Sequence, residues 1–231
     1  MLLDRIASFV PQGEHVFISI TGGGGKSSLM KALAAFYRAE RKKVLITTST
    51  KIQSPAFHDW GADCCFTSFS EASAFEPDSG CTVLYACSME ENVRKLTAPP
   101  AEELLALKQR YDVTICEADG SRHLPLKIHT QRDPVIYGFS DVTIAIMGAW
   151  AYGKEVREVT FGSDGDGIVD KAFLNGYISC PEGLLKGNPG VVLINGMDGG
   201  VGPEPFRELN WPQNVKVIGG SLVENTVAFE I

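Results

Sequence analysis

No stretch of this sequence approaches the ~20 consecutive apolar residues that a helix needs to span a bilayer. The opening residues, Met1-Leu2-Leu3-Asp4-Arg5-Ile6, contain an acid and lead into neither a long apolar run nor a small-residue cleavage site, so no secretory signal is legible. Both absences predict a soluble, cytoplasmic protein with no membrane partner. Clustered positive charge is also missing. Lys and Arg number 21 against 28 Asp and Glu, a formal net charge of -7. The one short basic run, Arg41-Lys42-Lys43, falls where a helix is expected to end and is explained by the helix dipole. Tracking a nucleic-acid backbone requires concentrated Lys and Arg that a general acidic surface opposes, which argues against nucleic acid as a partner. The six cysteines, Cys64, Cys65, Cys81, Cys87, Cys116 and Cys180, show neither paired C-x-x-C spacing nor a small secreted framework, and most are expected reduced and buried. His123 and His129 have no Cys or third ligand at metal spacing, which argues against zinc there. No heptad pattern marks a self-association stripe.

What the chain does have is Ile18-Ser19-Ile20-Thr21-Gly22-Gly23-Gly24-Gly25-Lys26-Ser27-Ser28, an apolar strand running into glycines and then a helix start. Glycines let backbone N–H groups converge on an anion, and the helix that follows adds its unpaired first amides and partial positive charge. The expected ligand set is therefore the amides of Gly22, Gly23, Gly24, Gly25 and Ser28, with Lys26 reaching the terminal phosphates. Ser27 is placed to ligate a bridging Mg²⁺. In G-x-x-x-x-G-K-[ST] the first glycine would fall at residue 20, which is Ile20. Read as T-G-x-x-G-K-S from Thr21 to Ser27, the loop resembles the shorter phosphate loop of the Mur-type peptide ligases.

Strand-like runs alternate with amphipathic segments along the rest of the chain. Val44-Leu45-Ile46, Thr82 to Cys87, Val113 to Cys116, Val142 to Met147, Val191 to Ile194 and Val215 to Ile218 read as strands, the continuous apolar ones as strands buried on both faces of a parallel sheet. The expected fold is α/β: a three-layer P-loop NTPase with a mostly parallel, doubly wound sheet, one such domain over residues 1–231. Open sheets of this kind bind ligands at the C-terminal edge of their strands. Thr47-Thr48-Ser49-Thr50-Lys51 falls there; one of its hydroxyls is expected to hold Mg²⁺ or its water, and Thr50 is expected among the nucleotide-binding residues. Glu117 and Asp119 follow another strand two residues apart, so their carboxylates share one side of an extended chain. Glu117 is the expected second Mg²⁺ ligand and Asp119 the group that orients water, with Lys26 completing the catalytic set. Arg122, Lys127 and Arg132 either neutralise phosphate charge or pair with Asp119 and Asp133. From Gln53 to Gly80 nothing is chemically pointed.

Asn195-Gly196-Met197-Asp198 at a later strand end is similar to the N-K-x-D element with which GTPases hold guanine, Asn195 and Asp198 being the base contacts. Gly196 replaces the lysine whose apolar stem packs along the base, so GTP and ATP both remain open as the nucleotide.

Taken together, TGGGGKSS, TTSTK, EADGSRHLPLK with DPVI after it, EGLLKGNPG and VVLINGMD resemble the YqeC-type accessory proteins of selenium-dependent molybdenum hydroxylases, in the same order over most of the chain. EADGSR-x-LPLK is the most specific of these pieces. The departures are Gly196, where Lys or Gln is expected, and Asp170-Lys171, where a His-Arg pair is expected. The resemblance implies a P-loop NTPase that uses Mg²⁺ and a nucleoside triphosphate while helping a molybdenum hydroxylase or its cofactor-assembly machinery mature. Direct handling of selenium would call for a thiolate, with Cys87 and Cys116 as the cysteines near strand ends facing the site. Two alternatives carry the same loop: a nucleotide-gated binding module with little turnover, and a Mur-like ATP-dependent ligase. Too little chain beyond Asn195 is left for the acceptor domain of a ligase.

Overall fold

The computed structural model describes residues 1–88 and 94–231, so residues 89–93 of the unit expected over 1–231 lie outside the described residues. The strands in chain order are β1 (Val16–Gly22), β2 (Val44–Thr48), β3 (Lys51–Gln53), β4 (Cys64–Phe66), β5 (Thr82–Tyr85), β6 (Lys95–Thr97), β7 (Val113–Glu117), β8 (Leu126–Lys127), β9 (Val142–Gly148), β10 (Thr160–Phe161), β11 (Val191–Asn195), β12 (Lys216–Ser221) and β13 (Thr226–Glu230). The helices are α1 (Leu2–Ser8), α2 (Lys26–Ala39), α3 (Phe69–Ala74), α4 (Ala101–Lys108), α5 (Val156–Val159), α6 (Lys171–Ser179) and α7 (Glu204–Arg207).

Among the described residues nine strands form one sheet in the order β13-β12-β11-β9-β1-β7-β2-β5-β4. Every neighbouring pair is parallel except β12 with β13, which closes one edge as an antiparallel strand. Alternation along the strands divides the apolar residues between two faces. Ile18, Ile20, Val44, Ile46, Ile144, Ile146 and Leu193 meet α1 and α2 in one core. Their odd-numbered or even-numbered neighbours, such as Ala145, Met147, Val192 and Ile194, pack on the opposite face with α5, α6 and α7, while Leu45, Val83 and Tyr85 meet α3 and α4. That is the expected α/β arrangement with helices on both faces of a mostly parallel sheet.

The chain leaves β1 through α2 and returns as β2, two positions away, with β7 filling the gap, whereas β9 lies on the other side of β1. β1 is thus the switch point of the sheet, where open α/β folds form a ligand crevice. Because β7 is the immediate neighbour of β1, with Ile20 opposite Glu117, the acid pair emerges beside the glycine run. Short strands missed in the sequence complete the picture. β3 and β6 pair antiparallel as a separate ribbon, with Gln53 opposite Lys95, and β13 follows the strand at Val215–Ile218 where no further element was expected.

The glycine run is wedged against β9 and the segment before β8. A Cβ on Gly22 would lie 2.2 Å from Ile146 O, on Gly23 2.4 Å from Leu124 O and on Gly24 2.2 Å from Gly148 N. Gly22 and Gly24 also have φ of 93° and 83°, a region costly to residues with a Cβ. Gly24→Ala combines backbone strain with overpacking, each of roughly 1–3 kcal/mol. It is expected to lower the urea midpoint of unfolding by the equivalent of at least about 2 kcal/mol without any ligand present. An unchanged midpoint would mean that the glycine serves a ligand alone.

Candidate functional site

At the C-terminal edge of the sheet lies a cleft of about 430 Å³ whose walls come from widely separated parts of the chain. Gly25, Lys26, Ser27 and Ser28 open α2; Lys51, Gln53 and Lys95 come from the β3/β6 ribbon; Glu117 and the turn from Gly120 to His123 follow β7; Trp150 and Asn195 follow β9 and end β11. This volume suits a small molecule and not a polymer. A second cleft, about 300 Å³, is lined by Val16 and Val113 at the N-terminal ends of β1 and β7, away from these groups.

The first hydrogen bond within α2 runs from Leu29 N–H to Gly25 O, so helix geometry leaves the amides of Lys26, Ser27 and Ser28 without an intrahelical acceptor. These amides, and not those of Gly22, Gly23 and Gly24, lack an acceptor among the described residues. Gly22 N–H donates to Asp119 Oδ2 at 2.8 Å, Gly23 N–H to Ile146 O at 2.9 Å and Gly24 N–H to Leu124 O at 3.1 Å. The four glycines expected to share one phosphate thus divide into three that seat the loop and one, Gly25, that caps the helix at φ 124°.

Lys26 is nearly buried and folds back on the acids. Its Nζ donates to Gly22 O at 2.6 Å and to Ser121 Oγ at 3.2 Å, and lies 3.0 Å from Asp119 Oδ1 and 3.8 Å from Glu117 Oε1. The alternation argument therefore placed both carboxylates correctly, on one point. Their surroundings differ. Asp119 has no exposure and does not line the cleft; besides Gly22 it receives His129 Nε2 at 2.8 Å and has Lys127 Nζ at 3.8 Å. Burial alone would raise its pKa, but Lys26, the His129 hydrogen bond, Lys127 and the Gly22 amide outweigh it and hold the carboxyl down at about 2. Glu117 faces the cleft. Burial pushes its carboxyl up to about 7, with Lys26 opposing and the Asp119 charge adding.

The other expected residues fall unevenly. Ser27 and Ser28 line the cleft. Thr47, Thr48 and Ser49 spend their hydroxyls on Tyr85 O, Glu117 O and Val135 O. Thr50 Oγ1 is buried without a hydrogen-bond partner among the described residues, yet Thr50 is not on the cleft wall. Asn195 reaches the cleft, but Asp198 is exposed and outside it. Lys127 pairs with Asp133 and donates to Gly120 O, which is the structural of the two roles considered, while Arg122 lines the cleft over the Phe161 ring at 5.3 Å. Cys116 is buried, its thiol pushed up by burial, and neither it nor Cys87 lines the cleft, so neither faces the site.

Sequence reasoning overlooked Gln53, His58, Lys95 and Trp150. Lys51, Gln53 and Lys95 share one face of the ribbon while Ile52 and Leu96 bury the other; a three-residue alternation is too short to read alone. His58 Nε2 is buried without a hydrogen-bond partner among the described residues, and burial lowers the pKa of the ring, with Lys31 and His123 adding. Arg122 and His123 both have positive φ, 49° and 66°, two strained residues in succession at the mouth of a cleft.

The architecture is that of a mostly parallel α/β protein with a glycine loop and helix start, an acid pair and basic side chains gathered at its switch point. A family model described as YqeC protein matches residues 18–163, a span that includes the loop, both acids and Trp150. Protein YqeC of Escherichia coli (strain K12) is 36% identical over 191 residues, covering 77% of this chain and 73% of that relative. The chain belongs to the YqeC family. No helix among the described residues is long and apolar enough to cross a membrane.

Because Glu117 binds its proton more tightly folded than at its ordinary value of 4.5, its contribution to stability declines as pH rises from about 4.5 to about 7. In metal-free buffer, Glu117→Gln is expected to be more stable than the parent at pH 8, by up to about 3 kcal/mol, and to lose that advantage at pH 4.5. Denaturant melts at the two pH values measure it; a variant less stable at pH 8 would show that pairing with Lys26 outweighs burial.

Proposed function

We propose that this chain binds a Mg²⁺–nucleoside triphosphate in the cleft and hydrolyses it, as an accessory factor in maturing a selenium-dependent molybdenum hydroxylase. The observation that carries the first part is the setting of Lys26: the first residue of a helix whose free amides face a cleft, held against two carboxylates from the adjacent strand. The second part rests on family resemblance and on no residue of the cleft.

Charge supports the same ligand class. In a chain of net charge -7, Lys26, Lys51, Lys95 and Arg122 all line one cleft with Glu117 as the facing acid. Lys51, Lys95 and Arg122 have no carboxylate within ion-pair distance among the described residues. Low-dielectric walls focus such a field on a small polyanion.

The residues also fit a Mg²⁺ ion. The Ser27 hydroxyl and the Glu117 carboxylate are hard oxygen donors lining the same cleft, the kind this cation takes together with water and phosphate oxygens. When bound, the ion would neutralise phosphate charge. Glu117, the acid open to the cleft, holds a proton near neutrality without a cation and is the group able to orient or deprotonate water. Asp119 is enclosed, and its task is to fix Lys26 and the loop. This reverses part of the expected division, in which Asp119 faced the water.

Mg²⁺-dependent binding and hydrolysis of ATP and GTP test the reading. Loss of the Lys26 charge in Lys26→Ala is expected to weaken nucleotide binding about tenfold or more. Glu117→Gln is expected to keep binding within a few-fold while turnover falls about a hundredfold. Ser27→Ala should weaken the Mg²⁺ dependence while leaving the fold intact by circular dichroism, which guards against Lys26→Ala failing through two unpaired buried acids. Binding without turnover in the parent would leave the nucleotide-gated module. No binding of either nucleotide at millimolar concentration would end the reading.

A further inference from the structure

The cleft does not present the base-reading element that the sequence suggested. Asn195 uses both ends of its amide inside the protein: Nδ2 donates to Gly24 O at 2.9 Å and Oδ1 accepts from Leu222 N–H at 3.0 Å. It braces the glycine loop against β12, and nothing is left over for a base edge on those two bonds. Asp198 is exposed and off the cleft wall.

What stands in the space of the missing lysine stem is Trp150. A Cβ at Gly196, where φ is 86°, would lie 2.5 Å from Trp150 Cε3 and 2.7 Å from Cζ3, and a Cβ at Gly148 would lie 2.8 Å from its Cη2 and Cζ2. Gly148 and Asn195 are in register on β9 and β11, so two strand ends stripped of side chains leave a shelf for one indole. Local structure delivers the ring there. After β9 the chain makes a 3₁₀ turn at Ala149–Ala151; the two alanines bury in the core and the tryptophan between them stays partly exposed on the cleft. The other tryptophans are tied down, Trp60 Nε1 to Gln53 O and Trp211 Nε1 to Phe206 O, both at 2.9 Å. No such acceptor holds the Trp150 indole among the described residues.

We propose that Trp150 is the platform on which a purine base stacks, with Lys26 and the α2 amides at the phosphate end of the same cleft. The inference rests on the nucleotide reading and adds how the base is held: by an aromatic face that accepts adenine and guanine alike, and not by hydrogen bonds from Asn195 and Asp198. Stacking of this kind needs only a π-face, so it tolerates either base.

Binding of ATP, GTP and inorganic tripolyphosphate, each with Mg²⁺, to the full chain tests it. The parent is expected to bind both nucleotides about tenfold to a hundredfold more tightly than tripolyphosphate, and within about threefold of each other. Trp150→Ala should erase that advantage with tripolyphosphate affinity unchanged, and Trp150→Phe should recover most of it. Tryptophan fluorescence should respond to nucleotide and not to tripolyphosphate, with the response absent in Trp150→Phe. Equal affinity of the parent for tripolyphosphate and ATP would overturn the platform while leaving the phosphate site intact. So would an equal loss for both ligands in Trp150→Ala, or a more than tenfold GTP preference abolished by Asp198→Ala. Failure of the parent to bind any of the three removes the nucleotide reading and this inference with it.

Discussion

The buried carboxylate of Asp119 holds together three segments that would otherwise have no reason to meet. It receives the Gly22 amide at the end of β1, Lys26 at the start of α2 and His129 beyond β8. An ionised acid with no solvent contact is tolerable only if it is paired and hydrogen-bonded, and here the compensation is supplied by the groups that shape the cleft. His129 extends the chain of contacts. Its Nδ1 lies 3.0 Å from Gly183 O and its Nε2 2.8 Å from Asp119. The loop after β7, the glycine run and the stretch after α6 are keyed to one another through a single side chain.

Two carboxylates separated by one residue therefore have different work to do. Alternation along an extended chain sends both to the same side, but the Gly22 amide, the His129 ring, Lys26 and Lys127 surround Asp119, while Glu117 keeps one edge on the cleft. The first is held ionised and the second is pushed toward neutrality. Neighbouring acids driven apart in this way form a pattern that acid–base sites use, and buried ion-pair networks produce it as well.

Much of this was legible in the residues and some of it was not, for identifiable reasons. Long apolar runs such as Val142–Met147 and Val191–Ile194 declare themselves as buried strands, and the glycine-lysine-serine run and the Glu117/Asp119 pair each carry a local pattern. The ribbon of Lys51, Gln53 and Lys95 carries none, because its two strands are three residues each and pair across a long separation in sequence. Trp150 sits in Ala-Trp-Ala-Tyr, without periodicity, and its position depends on glycines at 148 and 196 that meet only through sheet register. The cysteine expectation failed on a rule already available. Cys116 precedes Glu117 on one strand, so period-two alternation sends its thiol to the face opposite the one Glu117 uses.

A glycine-rich loop invites a choice between packing and phosphate binding, and in this one packing alone requires Gly22, Gly23 and Gly24. Gly22, Gly23 and Gly24 leave no room for side chains and give their amides to the protein. By doing so they seat the start of α2, whose Lys26, Ser27 and Ser28 line the cleft. Preorganised dipoles need no reorganisation when an anion binds, which is what makes them effective in a water-poor site. The same economy governs charge. A formal net charge of -7 is spread over the whole chain, whereas four basic side chains are gathered on one cleft of about 430 Å³.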